Sequence, residues 1–594
     1  MKGPGWRSDA KVDPSQLCLL PSISILLCIL LALFLIPSSR FATFESKGSK
    51  RWRWWSSPRP RHRLGLPPNP PLSVLSELSS GRVGDVFEAY RSTGSEILCI
   101  PPLSLHRPSS LLLIPFSCLF WIVTIGFGWI SPTYQEQGKG SSEAIIILNS
   151  ERSATELLDA RSGLYSDRPK AVMGNLLRSG GLSVPFTSYG PLFRKHRRAF
   201  CEAFSKLAIP RYDENVKEDL RVLLVDLVRI SEEVGEGGGG GGLGWSQEVY
   251  RFVTSQTMNT VFGRRVGGEL EKDRFVNLAR KCNENFFQFN RPGAGFLVDR
   301  FPWLTNLPYL VNPWKRMCRP WFEKELELFR TEMKEAATSP TRRRANLARR
   351  VYETMEETGL TESQAAYLCG TMYGASVDTT FQALSVFFLA SANHWEKLKE
   401  AREEVDDVVG ATRPPDHSDL ERLERCRALV KEVVRWRPFA HGAAPHRVME
   451  EDEYRGMRVP KGSTVYGNVW AIHQDPLLYP DPESFQPDRY LAGNTKGIRR
   501  ERFHSKRDLF SFGFGRRICP GESSSAPLTF SPFPATRIYS IPPSFPHRQL
   551  AMRTLTLTVA TILWGFEIRA PLDAETGEEI KLDESAFKTD SLSR

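Results

Sequence analysis

The run Phe510-Ser-Phe-Gly-Phe-Gly-Arg-Arg-Ile-Cys-Pro-Gly-Glu522 concentrates reactive and conformationally special residues in one short stretch. Gly513, Gly515 and Gly521 let backbone approach a large flat object, Arg516 and Arg517 offer forks for carboxylates, and Cys519 stands where a helix is expected to begin. That is a place to hold a thiolate. A dinucleotide loop is excluded because the third glycine of G-x-G-x-x-G is missing, and no second Cys or His stands nearby to complete a zinc site. A single thiolate needs a metal whose other ligands come from elsewhere. Haem iron, with four porphyrin nitrogens, meets that need.

Other patterns surround this loop. Ala375-Ser-Val-Asp378-Thr379-Thr380 places an acid beside an alcohol inside an apolar helical pattern, although both side chains compete there for backbone hydrogen bonds. An acid next to a hydroxyl can pass protons. Glu432 and Arg435 share a helix face at i,i+3, a pair too common to carry meaning alone. Phe485-Gln-Pro-Asp-Arg489-Tyr follows them, Pro445-His-Arg447 lies between, and Phe193-Arg-Lys-His-Arg197 precedes all of these. In this order, with Phe512, Gly515, Arg517, Cys519 and Gly521 matching F-x-x-G-x-R-x-C-x-G, the sequence resembles the cytochrome P-450 family. The resemblance covers most of residues 84–98, 143–522 and 549–570, and is greatest to fungal microsomal members.

The resemblance implies haem b with Cys519 as its axial iron ligand, and O2 as co-substrate. Arg197, Arg447 and Arg517 would pair with the haem propionates, Thr379 would position a water, and Asp378 would help deliver protons. Glu432, Arg435 and Arg489 would form the family's structural triad. Two departures stand out: Ser376 occupies a usual glycine position, and Phe193 replaces a tryptophan. Nothing in the chain resembles a flavin or nicotinamide site, so electrons are expected from a partner NADPH-dependent reductase, with cytochrome b5 as a second candidate donor. The implied activity is insertion of one oxygen atom into an apolar small molecule, in fungal secondary metabolism or xenobiotic oxidation. Two alternatives accompany it. One is a non-oxygenating haem-thiolate isomerase or dehydratase, against which the Asp378-Thr379 pair argues; the other is an impaired product of a gene model with retained introns. The expected pocket segments, 170–190 and 275–310, carry Phe286, Phe287, Phe289 and Phe296 and no charge that would name a ligand.

The elements that must position these residues are mainly helical. Glu362 to Ala392, Trp395 to Val409 and Leu420 to Trp436 are long periodic segments, whereas Ala144 to Leu148 and Thr464 to Val469 are among few strand-like pieces. The expectation is a mainly α fold with a small β portion, the cytochrome P-450 fold, preceded by one transmembrane helix. Residues 17–37 are 21 uncharged residues, long enough for a bilayer core of about 30 Å. Three Lys/Arg precede them and eight follow between Arg40 and Arg63, so the positive-inside bias leaves the later chain in the cytosol. Residues 1–16 are then a lumenal tail, 38–71 a basic Pro-rich linker, and 72–594 the haem-binding domain of a single-pass protein of the endoplasmic reticulum membrane. The first 63 residues hold 11 Lys/Arg and 3 Asp/Glu, which accounts for most of the net charge of +11 and removes the case for a nucleic-acid groove. Ten cysteines without regular spacing make no disulfide framework.

Two stretches look foreign to the fold. Residues 99–140 include 28 consecutive uncharged residues and interrupt what otherwise reads as a hairpin from Gly-Ser-Glu-Ile-Leu to Ala-Ile-Ile-Ile-Leu. Residues 523–548 hold six Pro, six Ser and no acid, and removing them joins Glu522 to a helical pattern starting at Gln549. Translated intron is the expected explanation.

Overall fold

Two isoleucine-rich runs, Ile97–Ile100 (β1) and Ile145–Leu148 (β2), pair antiparallel with Ile97 opposite Leu148 and Ile100 opposite Ile145. This is the expected hairpin. Its register corrects one boundary: Cys99 and Ile100, assigned above to the foreign stretch, are strand residues paired with Ile146 and Ile145. The computed structural model describes residues 97–100, 144–204, 209–237, 244–290, 296–342, 344–494, 497–505, 507–520, 550–573 and 576–584, all within a unit spanning Arg61–Arg594. The expected tail, anchor and linker (1–71), and residues 101–140 and 523–548, lie outside them. Among the described residues no helix is long and apolar enough to cross a membrane.

The sheet continues through Thr464–Gly467 (β6), parallel to β2, to His446–Arg447 (β3). Asp452–Tyr454 (β4) and Met457–Val459 (β5) form a separate hairpin whose turn holds Arg455 and Gly456 at positive φ. That is the turn chemistry a two-residue connection needs. β6 ends at Gly467, short of the expected Val469, because the Asn468 side chain accepts from the Ala471 N–H and starts the helix Val469–His473.

Helices supply most of the mass. The longer ones among the described residues are Pro191–Ala203 (α1), Asp213–Gly237 (α2), Gly244–Phe262 (α3), Arg274–Asn290 (α4), Pro313–Thr338 (α5), Glu362–Asn393 (α6), Trp395–Val409 (α7), Glu424–Trp436 (α8) and Leu550–Gly565 (α9). α8 starts four residues later than its apolar pattern suggested, because Asp419 collects Arg413, Arg422 and the Asp416 N–H into a turn before it. α6 is the axis of the core and packs against α3, α5, α8 and α9. A reciprocal capping box opens it, with Thr361 N–H donating to Gln364 Oε1 at 2.9 Å and Gln364 N–H to Thr361 Oγ1 at 3.4 Å. Apolar residues are buried on every side of it over most of its length, as a helix in the core requires.

Candidate active site

The cysteine loop is docked onto a widened helical turn, Thr155–Ala160. Gly515 sits at φ +56°, and a Cβ there would stand 2.1 Å from the Leu158 carbonyl oxygen, so only glycine fits. The Gly515 N–H donates to Asp159 Oδ1 at 2.5 Å. Asp159 Oδ2 takes Arg507 Nη2 at 2.5 Å, and Arg507 Nη1 reaches back to the Gly513 carbonyl at 2.8 Å. At the end of the loop the Cys519 N–H donates to the Phe512 carbonyl at 2.8 Å, and Arg197 on α1 donates to the Ile518 carbonyl at 2.6 Å. Cys519 is half-buried. Gly521 lies outside the described residues, as does any helix start directly after Cys519; the next described helix is α9.

A surplus of buried positive charge adjoins this loop. Arg517 donates through Nε to the Ser166 carbonyl and through Nη2 to the Thr187 carbonyl, and its guanidinium lies over the Phe193 ring at 3.8 Å. Phe193, in place of tryptophan, therefore serves as a flat support for Arg517. Burial pushes the Arg517 guanidinium down to about 9, helped by repulsion from Arg168 and Arg197 and opposed by Asp167. Arg168 is driven down to about 10 by burial, and His446 to about 3 by burial and then Arg168. Arg447 has a partner within the protein, with Nη1 3.4 Å from Asp167 Oδ2. Nη1 of Arg517 and Nε of Arg197 are buried with no hydrogen-bond partner among the described residues. Buried guanidinium N–H groups left unmatched beside mutually repelling cations fit a ligand that brings carboxylates. Asp167 and Arg168 escaped the sequence reading. The tripeptide Asp167-Arg168-Pro169 was the available signal, but nothing local joins it to residues some 280 positions later.

The acid and alcohol of α6 take different environments. Within this helix Ala375 and Thr379, one turn apart, are the two exposed positions in an otherwise covered element. Thr379 Oγ1 donates to the Ala375 carbonyl at 2.8 Å, which parks the hydroxyl against the helix and leaves its lone pairs available on the open side. Asp378 turns away and accepts from Asn283 Nδ2 of α4 at 2.6 Å. Burial raises its carboxyl above the usual range, with the Asn283 hydrogen bond opposing. Such a group is better suited to holding a proton than a solvated carboxylate. An opening in the middle of a buried helix, a thiol in a glycine loop and unmatched guanidinium N–H groups together fit an iron porphyrin with its two carboxylates.

Glu432, Arg435 and Arg489 meet in one buried cluster. Glu432 accepts from Arg435 Nε and Nη2 at 2.7 and 2.8 Å, from Arg489 Nε at 3.1 Å, and from the Gln486 N–H at 2.8 Å. All three charged side chains are fully buried. Arg435 also donates to the His473 carbonyl at 2.9 Å, while His473 Nε2 accepts the Phe510 N–H at 3.0 Å. One histidine thus joins the triad to the start of the cysteine loop. Asp159, Arg507, His473 and Asn283 were all missed from sequence, since each acts through a partner distant in the chain. The aromatic pocket residues cluster: Phe286 meets Phe186 at 5.6 Å and Phe287 at 5.9 Å, and Phe289 meets Phe296 at 5.7 Å.

Comparison with known proteins agrees with this geometry. The family model described as Cytochrome P450 matches residues 137–524, a span that begins near the end of one foreign stretch and stops at the start of the other. Cytochrome P450 monooxygenase 58 of Postia placenta is 31% identical over 429 residues, covering 72% of this chain and 74% of its own length. Cytochrome P450 monooxygenase drtD of Aspergillus calidoustus is 30% identical over 427 residues, covering 72% and 71% respectively. A solved zebrafish cytochrome P450, determined with progesterone, superposes with a TM-score of 0.50 at 22% identity, covering 69% of this chain and 89% of that one, and speaks to the fold alone. The chain belongs to the cytochrome P450 family, as an oxidoreductase of the monooxygenase class that works with haem and O2.

Proposed function

We propose that this chain is a membrane-anchored haem-thiolate monooxygenase that oxidises an apolar small molecule with electrons from an NADPH-dependent reductase. The observation that carries the reading is the cysteine loop: Cys519 is presented by a glycine turn that only glycine can make, next to guanidinium groups with unmatched N–H donors. Held through the Cys519 thiolate, haem would supply the iron chemistry that activates O2 for transfer of one oxygen atom to the substrate. Arg517 and Arg197 are the residues to hold its carboxylates, with Arg168 and Arg447 adding to the positive field. Thr379 presents a hydroxyl on the open side of α6, while Asp378, its protonated form favoured by burial, is held by Asn283 of α4 and would keep a proton in reserve for the site. Phe286 and Phe287, packed against each other in the expected pocket segment, would line the approach and exclude water. Glu432, Arg435 and Arg489 hold the loop rigid through His473.

The membrane part of the proposal rests on residues 17–37 as a single anchor, residues 38–71 as linker, and residence in the endoplasmic reticulum with the catalytic domain in the cytosol. A second contact is suggested by the segment before and at the start of α5. There Trp303 and Leu310 are 63% and 81% exposed, and Arg316 and Arg319 stand exposed beside them. That mixture suits a headgroup layer. The relatives come from fungi, which supports a role in secondary metabolism or xenobiotic oxidation. The test of the central claim is the carbon monoxide complex of the reduced, purified protein. It should show the red-shifted Soret band of thiolate ligation, and Cys519→His should abolish it; an unchanged band in that variant refutes the assignment.

A further inference from the structure

We propose that Asp159, acting with Arg507, is a positioning residue for the Cys519 thiolate: a brace that fixes the cysteine loop against the widened turn Thr155–Ala160. The proposal rests on Cys519 being the iron ligand. The brace has four points on the loop. Asp159 Oδ1 holds the Gly515 N–H and Oδ2 holds Arg507. Arg507 in turn holds the Gly513 carbonyl and lies over the rings of Phe510 and Phe514, at 5.1 and 5.5 Å. Two backbone groups and two rings, all upstream of Cys519 in a short run, are therefore set by one ion pair.

The turn that carries Asp159 has the wide bonding of a π-helix, with the Arg161 N–H donating to the Glu156 carbonyl five residues back. Single wide turns of this kind cluster at functional sites. Here the consequence is geometric: the Leu158 carbonyl and the Asp159 carboxylate both face Gly515, one by close contact and the other by hydrogen bond. Burial raises the Asp159 carboxyl, while Arg507 and the Gly515 N–H work against that rise. Removing Arg507 thus leaves a carboxylate that the site disfavours, and removing Asp159 leaves a loop N–H and a guanidinium without their acceptor. A charge-assisted bond to a loop N–H fixes the backbone path more tightly than an amide would. The strand of loop between Gly515 and Cys519 is too short to absorb a shift at its start, and Arg197 and Phe512 hold its far end.

The experiment uses the full-length holoprotein with Asp159→Ala, Asp159→Asn and Arg507→Gln. Arg161→Ala is the comparator, since that guanidinium bonds Asp452 and Glu453 on β4. Two quantities are read: hydrogen exchange of the peptide covering residues 507–518, and the carbon monoxide spectrum of the reduced protein. Asp159→Ala should speed exchange in that peptide by about tenfold or more, as loss of a hydrogen bond to a charged group implies, and should move part of the Soret absorbance away from the red-shifted thiolate band. Asp159→Asn, which keeps an acceptor for Gly515 but loses the ion pair, should fall between wild type and Ala, and remains informative if the Ala variant does not fold. Arg507→Gln added to Asp159→Ala should change little further. The proposal is overturned if loop exchange and band stay as in wild type, if the band moves without faster loop exchange, or if Arg161→Ala gives the same pattern. Cys519→His separates the two claims, because it should remove the thiolate band with loop protection retained. If that variant keeps the band, the ligand assignment fails while the exchange data still decide the brace.

Discussion

Gly515→Ala is the sharpest test of the loop geometry, because Gly513→Ala controls for its backbone component. Both glycines have positive φ, +82° at Gly513 and +56° at Gly515, and each alanine pays about 1 kcal/mol for the left-handed conformation. At Gly513 nothing lies within 4 Å of the added carbon. At Gly515 the added carbon meets the Leu158 carbonyl oxygen at 2.1 Å and Ser162 Cβ at 2.9 Å, and a backbone oxygen cannot rotate aside. The loop must lift away, which forfeits the hydrogen bond from Gly515 to the Asp159 carboxylate, about 1.5–3 kcal/mol for a bond to a charged group. Together these make about 2.5–4 kcal/mol, a shift of roughly two to three orders of magnitude in the balance between docked and lifted loop. Gly513→Ala should shift the same balance by only about fivefold. The assay is the fraction of reduced protein with the red-shifted carbon monoxide band, alongside haem content and melting temperature. Equal effects at the two positions would show that the contact with Leu158 does not govern how Cys519 is presented.

Four further outcomes follow from the same observations. Thr379→Ala should keep NADPH consumption going with reductase while product falls and hydrogen peroxide rises; unchanged coupling would take Thr379 out of proton delivery and direct attention to Ser376. Asp378→Asn should raise the melting temperature near neutral pH while lowering activity. A carboxyl whose pKa is raised by folding binds protons more tightly when native, so wild-type stability falls as pH climbs from the ordinary aspartate range toward the raised one. The gain in this variant should therefore vanish below that window, and a gain independent of pH would contradict the assignment. Deleting residues 523–548 should improve haem binding and turnover with reductase; equal performance of the full-length chain would make the segment a genuine loop. Removing residues 1–40 should release the protein from membranes only in part, and complete solubility at low salt would argue against Trp303 and Leu310 as a second contact.

The sequence disclosed whatever depends on fixed local spacing. Glu432 and Arg435 on one helix face, the apolar surround of Asp378 and Thr379, and the glycines before Cys519 each say by type and interval what they must do. The hairpin was legible because β-branched residues recur on both sides of an unlike segment. Partners set by tertiary packing were not legible. Asp159 and Gly515 are 356 positions apart, and no pattern in Glu-Leu-Leu-Asp tells which of its residues will meet a loop, especially once a wide turn has rotated the face it presents. Asp167 and Arg447 pose the same problem across 280 positions. The three expected propionate partners also proved unequal: Arg447 meets a carboxylate, Asp167, whereas the hydrogen bonds of Arg517 and Arg197 among the described residues go to the backbone carbonyls of Ser166, Thr187 and Ile518. Composition cannot distinguish a guanidinium waiting for a ligand from one already engaged.

The pairing of Ile100 with Ile145 carries a lesson about tolerance to inserted chain. These two residues are neighbours across a ladder, yet 44 residues separate them in sequence. Closing a loop of that length, rather than a turn of about four residues, costs only about 2 kcal/mol because the entropy grows with the logarithm of length. Among the described residues β1 is bonded to β2 alone, at the end of its sheet, so that penalty falls on an element held by few others. In folding terms the pairing changes from a local contact to a distant one, which slows its closure. A protein can thus accept a long stretch of chain between these two strands and keep its core. For protein engineering, this makes the β1–β2 connection the natural place to graft a tag, a sensor or a redox partner.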